Sequence, residues 1–347
     1  MTAFPTAGAA SSLPVGGTLL AITPDVTATF RAMASDINVR IVRPRATAAE
    51  TVALAEDVFR RVERACTRFV PTSPLMLANA GPDQWHSVPV ELYEALTEAA
   101  AAHVVTEGLF DPRVLRVLES YGYDRSLPFE EGPVEVGART PKGRHSRTST
   151  VRIAPALRGV WNPSFDEPSL SVWLGSEPID LGGIGKGLAV RWAMEELAGA
   201  GVSVLLEAGG DCAVVGAGPD GDGWKVGVQD PREGDDPVAV LALSDRACAT
   251  SSIRVRRWRA NGREVHHLID PRTGEPGGAG LASVTVVDQD PALAEVWSKS
   301  LFLAGVDGIE ALADHRALAA LWVTEDGSLG LSEAIRPFVI WRYDGVC

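Results

Sequence analysis

The chain has 347 residues, of which 46% are hydrophobic and 22% charged; 45 acidic against 32 basic side chains give a net charge of −13. That is enough chain to bury a large core without disulfides or structural metals. The negative balance excludes a general nucleic-acid or anionic-membrane binder, both of which need a positive field, and leaves room only for a local basic site. Just four lysines occur, Lys142, Lys186, Lys225 and Lys299; the other 28 basic residues are arginine. A coding bias explains the scarcity, but it makes the place of each lysine worth following.

In chain order, residues 1–27 are rich in Ala, Gly, Thr, Ser and Pro, with neither a basic stretch nor a long apolar run. They read as a flexible leader on a cytoplasmic protein. Residues 28–347 read as one domain. Alternating Ile37, Val39 and Ile41 predict a strand over 28–43. Leu54, Val58 and Val62 repeat at four and predict a helix over 47–66, and a second helix is expected over 89–106 with Gly108 as its stop. Prolines, glycines and the basic run Lys142–Arg147 predict an irregular loop over about 124–150. The stretch 161–178 also reads as irregular, with a strand near 170–174.

Regular structure resumes with a helix over 183–197. Strands follow over 202–206, 212–215, 224–228, 238–243, 253–259, 264–269 and 282–287. A helix over 292–304 and strands over 318–323 and 338–341 close the chain. Many strands, few long helices and hairpin-length turns indicate an α+β fold with mostly antiparallel sheets. Cys66, Cys212, Cys248 and Cys347 show no C-x-x-C or zinc-ligand spacing and read as free buried thiols, with Cys347 exposed at the terminus.

Several segments carry chemical potential. In Asp180-Leu-Gly-Gly-Ile-Gly-Lys-Gly187, glycines precede a helix, so backbone amides can approach a phosphate and Lys186 adds a positive charge. It is not a P-loop, because Gly187 stands where Ser or Thr would hold magnesium. Close helix packing explains the same glycines equally well. Gly216-Ala-Gly-Pro-Asp-Gly221 matches a dinucleotide fingerprint by letters only, since no helix follows. Glu207-Ala-Gly-Gly-Asp211 is a strand-end turn that aims Asp211 at whatever lies there. Among the strand arginines, Arg254 and Arg256 share one face and Arg257 and Arg259 the other; one pair is a candidate for a phosphate and the other reads as a solvated face. Adjacent His266 and His267 face opposite ways on a strand, so only one can enter a given site; a histidine leading into the turn Asp270-Pro-Arg-Thr-Gly274 is a candidate general base. Glu295 and Lys299, at i,i+4, read first as a solvated helical pair.

Taken in order, these segments resemble the ApbE family of flavin transferases. The matching stretches are Phe30-Arg-Ala-Met33-Ala-Ser35, Glu107-Gly-Leu-Phe-Asp111-Pro, Asp180 to Gly187, Glu207 to Asp211, Val226-Gly-Val-Gln-Asp230-Pro-Arg, Ala249-Thr-Ser251 and His266-His-Leu-Ile-Asp-Pro-Arg-Thr-Gly274. The likeness covers about residues 28–305. It implies a two-lobed fold with FAD in the cleft between the lobes. It further implies cleavage of the FAD pyrophosphate, with FMN transferred to a Thr or Ser hydroxyl of an acceptor protein, usually with Mg2+. Carried over, Lys186 and the backbone of Gly182, Gly183 and Gly185 face phosphate, and Arg254 joins the cofactor-binding set. Gly209, Gly210, Asp211, Thr250 and Ser251 line the flavin cleft, and Met33 packs the nucleotide. His267 activates the acceptor hydroxyl and Asp270 orients that corner.

One departure stands out. The resemblance places the metal on a backbone carbonyl near Gly185, on an acidic residue at Glu295 and on a Thr where this chain has Lys299. Glutamate can serve a metal, but an ammonium has only donors. Lys299 therefore either repels the ion or takes its place. That leaves two alternatives beside the transferase: a relative with FAD hydrolase or other group-transfer activity in which Lys299 replaces the metal, and a non-catalytic flavin-binding protein. FAD is the expected small-molecule partner, and no nucleic acid or membrane is expected.

Overall fold

The structure is a computed structural model that describes residues 25–129, 132, 134–136, 159–232 and 236–343. Most of the leader, the Lys142–Arg147 run and Cys347 lie outside the described residues. The central element is an eight-stranded antiparallel sheet whose strands lie side by side in chain order. They are β1 (Val26–Ala32), β2 (Ser35–Val42), β3 (Ser203–Ala208), β4 (Asp211–Val215), β5 (Arg246–Ser252), β6 (Leu281–Asp288), β7 (Ala319–Thr324) and β8 (Leu329–Leu331). The α+β class with mostly antiparallel sheets is as the sequence predicts.

Alternation sorts the sheet's side chains. Ile37, Val39, Ile41 and Leu206 point to a face covered by α1 (Ala48–Cys66), α2 (Val90–Val105) and α3 (Gly185–Glu196). Thr47 caps α1 by accepting the Glu50 amide, and Phe59, Leu92, Leu96 and Leu188 fill the layer between. Val214, Cys248, Val287 and Leu321 point to the other face, where a three-stranded sheet (Trp224–Gln229, Pro237–Leu243 and Val339–Arg342) supplies Trp224, Val228 and Leu241. The fold is thus three layers, helices on sheet on sheet.

The helix α4 (Pro291–Ala304) lies across β5 and β6 and beside α3. It is buried nearly all round, which follows from its composition: Glu295 and Lys299 are its only charged residues. A smaller cluster, built on Val117, Tyr123, Trp258, Val265 and Ile269, forms a separate apolar centre. Among the described residues no helix is long and apolar enough to cross a membrane. Cys66, Cys212 and Cys248 are free and buried.

Several expectations need correction. Residues 28–43 form a hairpin, β1–β2, rather than one strand, because Met33 and Ala34 take positive φ (50° and 56°) in a two-residue turn. Such turns usually advertise themselves by Asn-Gly or Gly-Gly, and here neither is present. Strand β5 is not among the expected strands, and of the strand expected over 253–259 only the end is observed: the chain leaves the sheet at Ile253, so Arg254 and Arg256 sit in an irregular link before the strand Arg257–Ala260. His266 ends the strand Arg263–His266, and His267 follows it. Within the predicted loop of 124–150, Val134–Val136 is a strand paired in parallel with Trp258–Ala260.

Gly187 sets the distance between α3 and α4. A Cβ there would lie 2.5 Å from the Pro291 carbonyl oxygen and 2.6 Å from Ala292 Cα. Backbone cannot yield as a flexible side chain can, so Gly187→Ala should destabilise the protein by about 1–3 kcal/mol, the usual cost of overpacking. A urea melt whose midpoint is unchanged in this variant would contradict the close approach.

Candidate active site

The hairpins β1–β2 and β3–β4 end side by side, because β2 pairs with β3 up to Ile37 opposite Ala208. Gly209 and Gly210 make the second turn with φ of 58° and 94°, and a Cβ on Gly209 would lie 2.6 Å from Ser35 Oγ in the first. Glu207 steadies this turn by accepting the Gly210 amide at 2.9 Å. Met33 is fixed in the first turn by its amide, which donates to Glu63 of α1 at 2.9 Å, and its methyl group lies over Gly185 at the start of α3.

Asp211 stands where β4 and β5 part. Cys212 still pairs with Cys248 in the ladder; beyond it the Asp211 carboxylate accepts the Thr250 amide at 3.2 Å in place of a backbone carbonyl. Its other oxygen accepts the Lys186 ammonium from the first turn of α3. Across the α3–α4 contact, Glu295 accepts the Gly187 amide on one oxygen at 2.8 Å and the Lys299 ammonium on the other at 3.0 Å. Asp211 and Glu295 are each 1% exposed. The i,i+4 pair that reads as a solvated surface bridge is therefore a buried one, because α4 is wrapped on both sides.

Two lysines and two carboxylates thus share one buried pocket of charge. Burial raises the Asp211 carboxyl above its ordinary range against the pull of Lys186, and repulsion from Glu295 adds to the rise. Burial also acts to raise Glu295, but Lys299, Lys186 and the Gly187 amide outweigh it and hold that carboxyl below its usual value. Lys299 runs past Gly183, whose missing Cβ would lie 3.4 Å from Lys299 Cδ and 2.9 Å from the Phe110 ring.

His267 joins this group from the other side. Its ring Nδ1 lies 3.3 Å from the Arg256 carbonyl, which can only accept, so Nδ1 carries the proton and Nε2 keeps its lone pair. Burial pushes the imidazole well below its ordinary 6.5, and the positive charges of Arg256 and Lys299, with His266, push the same way. Asp270 is 8% exposed and is engaged in both oxygens by Arg272, whose guanidinium also reaches the Leu303 carbonyl at 2.8 Å. It shapes the turn after His267.

The remaining expected residues are distributed less tightly. Period two sends Ser251 and Thr250 to opposite faces of the sheet: Ser251 meets Ser298 of α4 at 2.7 Å, Thr250 meets Thr285 at 2.9 Å. Only the backbone of Thr250 touches Asp211. The Gly182 amide is already engaged by Asp180. Arg254 donates to the Asp230 carbonyl at 2.9 Å. The buttress behind the glycine segment is not evident from local sequence. Arg68, 6% exposed, pairs with Asp180 at 2.7 Å, and Asn79 clamps both the amide (2.9 Å) and the carbonyl (2.8 Å) of Ile179. Phe110, held through its carbonyl by His103 at 2.9 Å, backs Gly183.

The residues at the expected metal position do not fit a divalent cation. Both oxygens of Glu295 are committed, an ammonium stands 3.0 Å from one of them, and Ser298 is bonded to Ser251 and to the Glu295 carbonyl. Among the described residues no three His, Cys, Asp or Glu are grouped to hold a metal.

Comparison with known proteins fits this geometry. The ApbE family model matches residues 33–322. The chain belongs to the ApbE family. It is 29% identical over 324 residues to the FAD:protein FMN transferase of Rhodobacter capsulatus, covering 92% of this chain and 59% of that protein. With the FAD:protein FMN transferase of Haemophilus influenzae it shares 28% over 245 residues, covering 69% of this chain and 68% of that one. The ApbE protein of Thermotoga maritima superposes with a TM-score of 0.75 at 26% identity, over 91% of this chain and 99% of that chain. The flavin transferase ApbE of Vibrio cholerae shares the fold, with a TM-score of 0.73 at 21% identity over 91% and 99% of the two chains. This ApbE chain thus spans 59% of the length of the Rhodobacter relative.

The charge cluster gives a stability test. Asp211→Ala strands Lys186 and the Thr250 amide together, and breaking a buried pair in this way should cost about 3–5 kcal/mol. The control is Asp36→Ala, which removes only an exposed partner of Arg31. Equal urea midpoints for the two variants would show that the cluster is not buried.

Proposed function

We propose that this chain is a flavin transferase acting on FAD. The acceptor is a Ser or Thr hydroxyl of another protein. The observation that carries the reading is the meeting of Lys186 and Lys299, each anchored by a buried carboxylate, with a neutral imidazole whose Nε2 is unprotonated. The family membership and the printed names of the relatives support the same reading.

The roles follow from the chemistry. FAD presents a pyrophosphate, so the two ammoniums balance its charge at the end of α3, where the helix also favours anions. Met33 and the Gly209–Gly210 turn bound the cofactor's cleft, and Asp211 holds Lys186 in place. The acceptor hydroxyl oxygen attacks the phosphorus on the FMN side while its proton passes to His267. The bond from that phosphorus to the bridging oxygen breaks, and AMP leaves with the oxygen. Products are FMN joined to the acceptor through a phosphodiester, and AMP. The chain's contribution is positioning and charge balance, which is what phosphoryl transfer mainly requires. Because the residues at Glu295 do not fit Mg2+, no step here runs through a metal.

His267→Ala should lower the transfer rate by roughly 10²–10⁴-fold, the usual worth of a general base, while FAD binding persists. The assay is a purified acceptor domain or cell lysate incubated with FAD and read as flavin fluorescence in a denaturing gel. Repeated absence of a fluorescent band with the parent protein would overturn the transferase reading, and release of AMP and FMN without an acceptor adduct would indicate a hydrolase.

The pH profile is a separate check. His267 must be neutral to accept a proton, and its pKa lies below the ordinary 6.5, so the active form is already full at pH 7. Activity should therefore fall only as pH drops well below 6.5, and kcat/KM should show no limb between 6.5 and 7.5. An acid limb at 6.5 or above would contradict the assignment.

A further inference from the structure

Lys299 is held as a bound cation would be held. One oxygen of Glu295 accepts it at 3.0 Å, and the other takes the Gly187 amide, so both carboxylate oxygens are already engaged. The lysine stem lies along Gly183, where a Cβ would crowd it, and its side chain keeps 16% exposure. An ammonium has three donors, and Glu295 uses one. A divalent ion placed beside Glu295 would stand next to that ammonium in a poorly screened pocket, where like charges repel strongly.

A further cation stands close by. Arg256 is half-buried, its carbonyl is bonded by the His267 ring, and its guanidinium makes no ion pair with a carboxylate among the described residues. It lies close enough to His267 to act on it electrostatically, as Lys299 does. Lys186 and Lys299 carry two positive charges against two on Asp211 and Glu295, so a divalent ion added there would bring positive charge that the cluster does not offset.

We propose that this chain carries its own cation for the FAD pyrophosphate: Lys299 takes the place of a divalent metal, and FAD binding needs none. The proposal rests on the flavin reading above. It separates this chain from any metal-dependent relative by a binding property rather than by a different reaction.

Isothermal titration calorimetry of the full chain with FAD tests it, once in excess EDTA and once in excess magnesium. The expected result is the same Kd in both buffers to within about twofold, and no heat when magnesium alone is titrated into the protein. A parent that binds FAD only with magnesium, or that takes up magnesium tightly without FAD, overturns the proposal and leaves the flavin reading intact. A parent that binds FAD in neither buffer overturns both.

Variants locate the effect. The double variant E295Q/K299M removes the pair without leaving a bare buried charge, and its melting curve reports whether it folds. It should bind FAD at least about tenfold more weakly, a loss of ~1.4 kcal/mol, and magnesium should not restore it. A folded E295Q/K299M that binds FAD like the parent would overturn the proposal, as would its recovery by magnesium.

Discussion

Everything at the candidate site depends on one close approach, that of the α3 start to the α4 start across Gly187. Because that residue has no side chain, its amide reaches Glu295, and Glu295 in turn holds Lys299. The adjacent Lys186 is then carried over the end of β4, where it meets Asp211. Asp211 closes the β4–β5 junction by accepting the Thr250 amide after the ladder ends. Two helices and two strands are thus tied together by four charged side chains in addition to their apolar contacts.

Such a cluster is costly to fold. Taking charges out of water is repaid only when geometry and further hydrogen bonds are good, and apolar side chains of similar shape often give equal or greater stability. The three-layer core, with Phe59, Leu96, Leu188, Val286 and Phe302 among its fully buried members, supplies the stability that permits the cluster. Arg68 with Asp180, and Asn79 with Ile179, fix the glycine segment from behind and keep it from relaxing away from the charges. Rigidity of this kind is useful where a diphosphate must be held in register with an attacking oxygen.

The sequence made the layers legible where periodicity was strong. The 3.6-residue pattern of α1 and the alternation of β2 both correspond to observed elements. It failed where a turn lacked turn residues, as at Met33-Ala34, whose positive φ is imposed by Glu63 and the neighbouring hairpin. It also failed at Ile253–Arg256, where spaced arginines imitate strand alternation across a break. The site was legible as a set of motifs and less so as a geometry. Thr250 and Ser251 are neighbours in sequence and diverge in space, while Arg68 belongs to the site's support without any local sign. The burial of Glu295 and Lys299 had a sign, since they are the only charges in fourteen residues of an otherwise uncharged helix. An i,i+4 pair looks the same on a solvated helix and a buried one, and only the rest of the helix distinguishes them.

The rarity of lysine then acquires a physical meaning. Lys225 pairs with Asp222 on the surface, whereas Lys186 and Lys299 are half-buried, each against a buried carboxylate. In a chain that uses arginine almost everywhere, these two positions ask for what arginine cannot give. A guanidinium is a broad planar fork that spreads its charge over five donors, while an ammonium is a compact charge on a thin stem. Only the compact group fits beside a single Glu295 oxygen with its methylenes pressed along Gly183. A localised positive charge at the end of a narrow, fixed arm is also the nearest that a protein side chain comes to a bound metal ion.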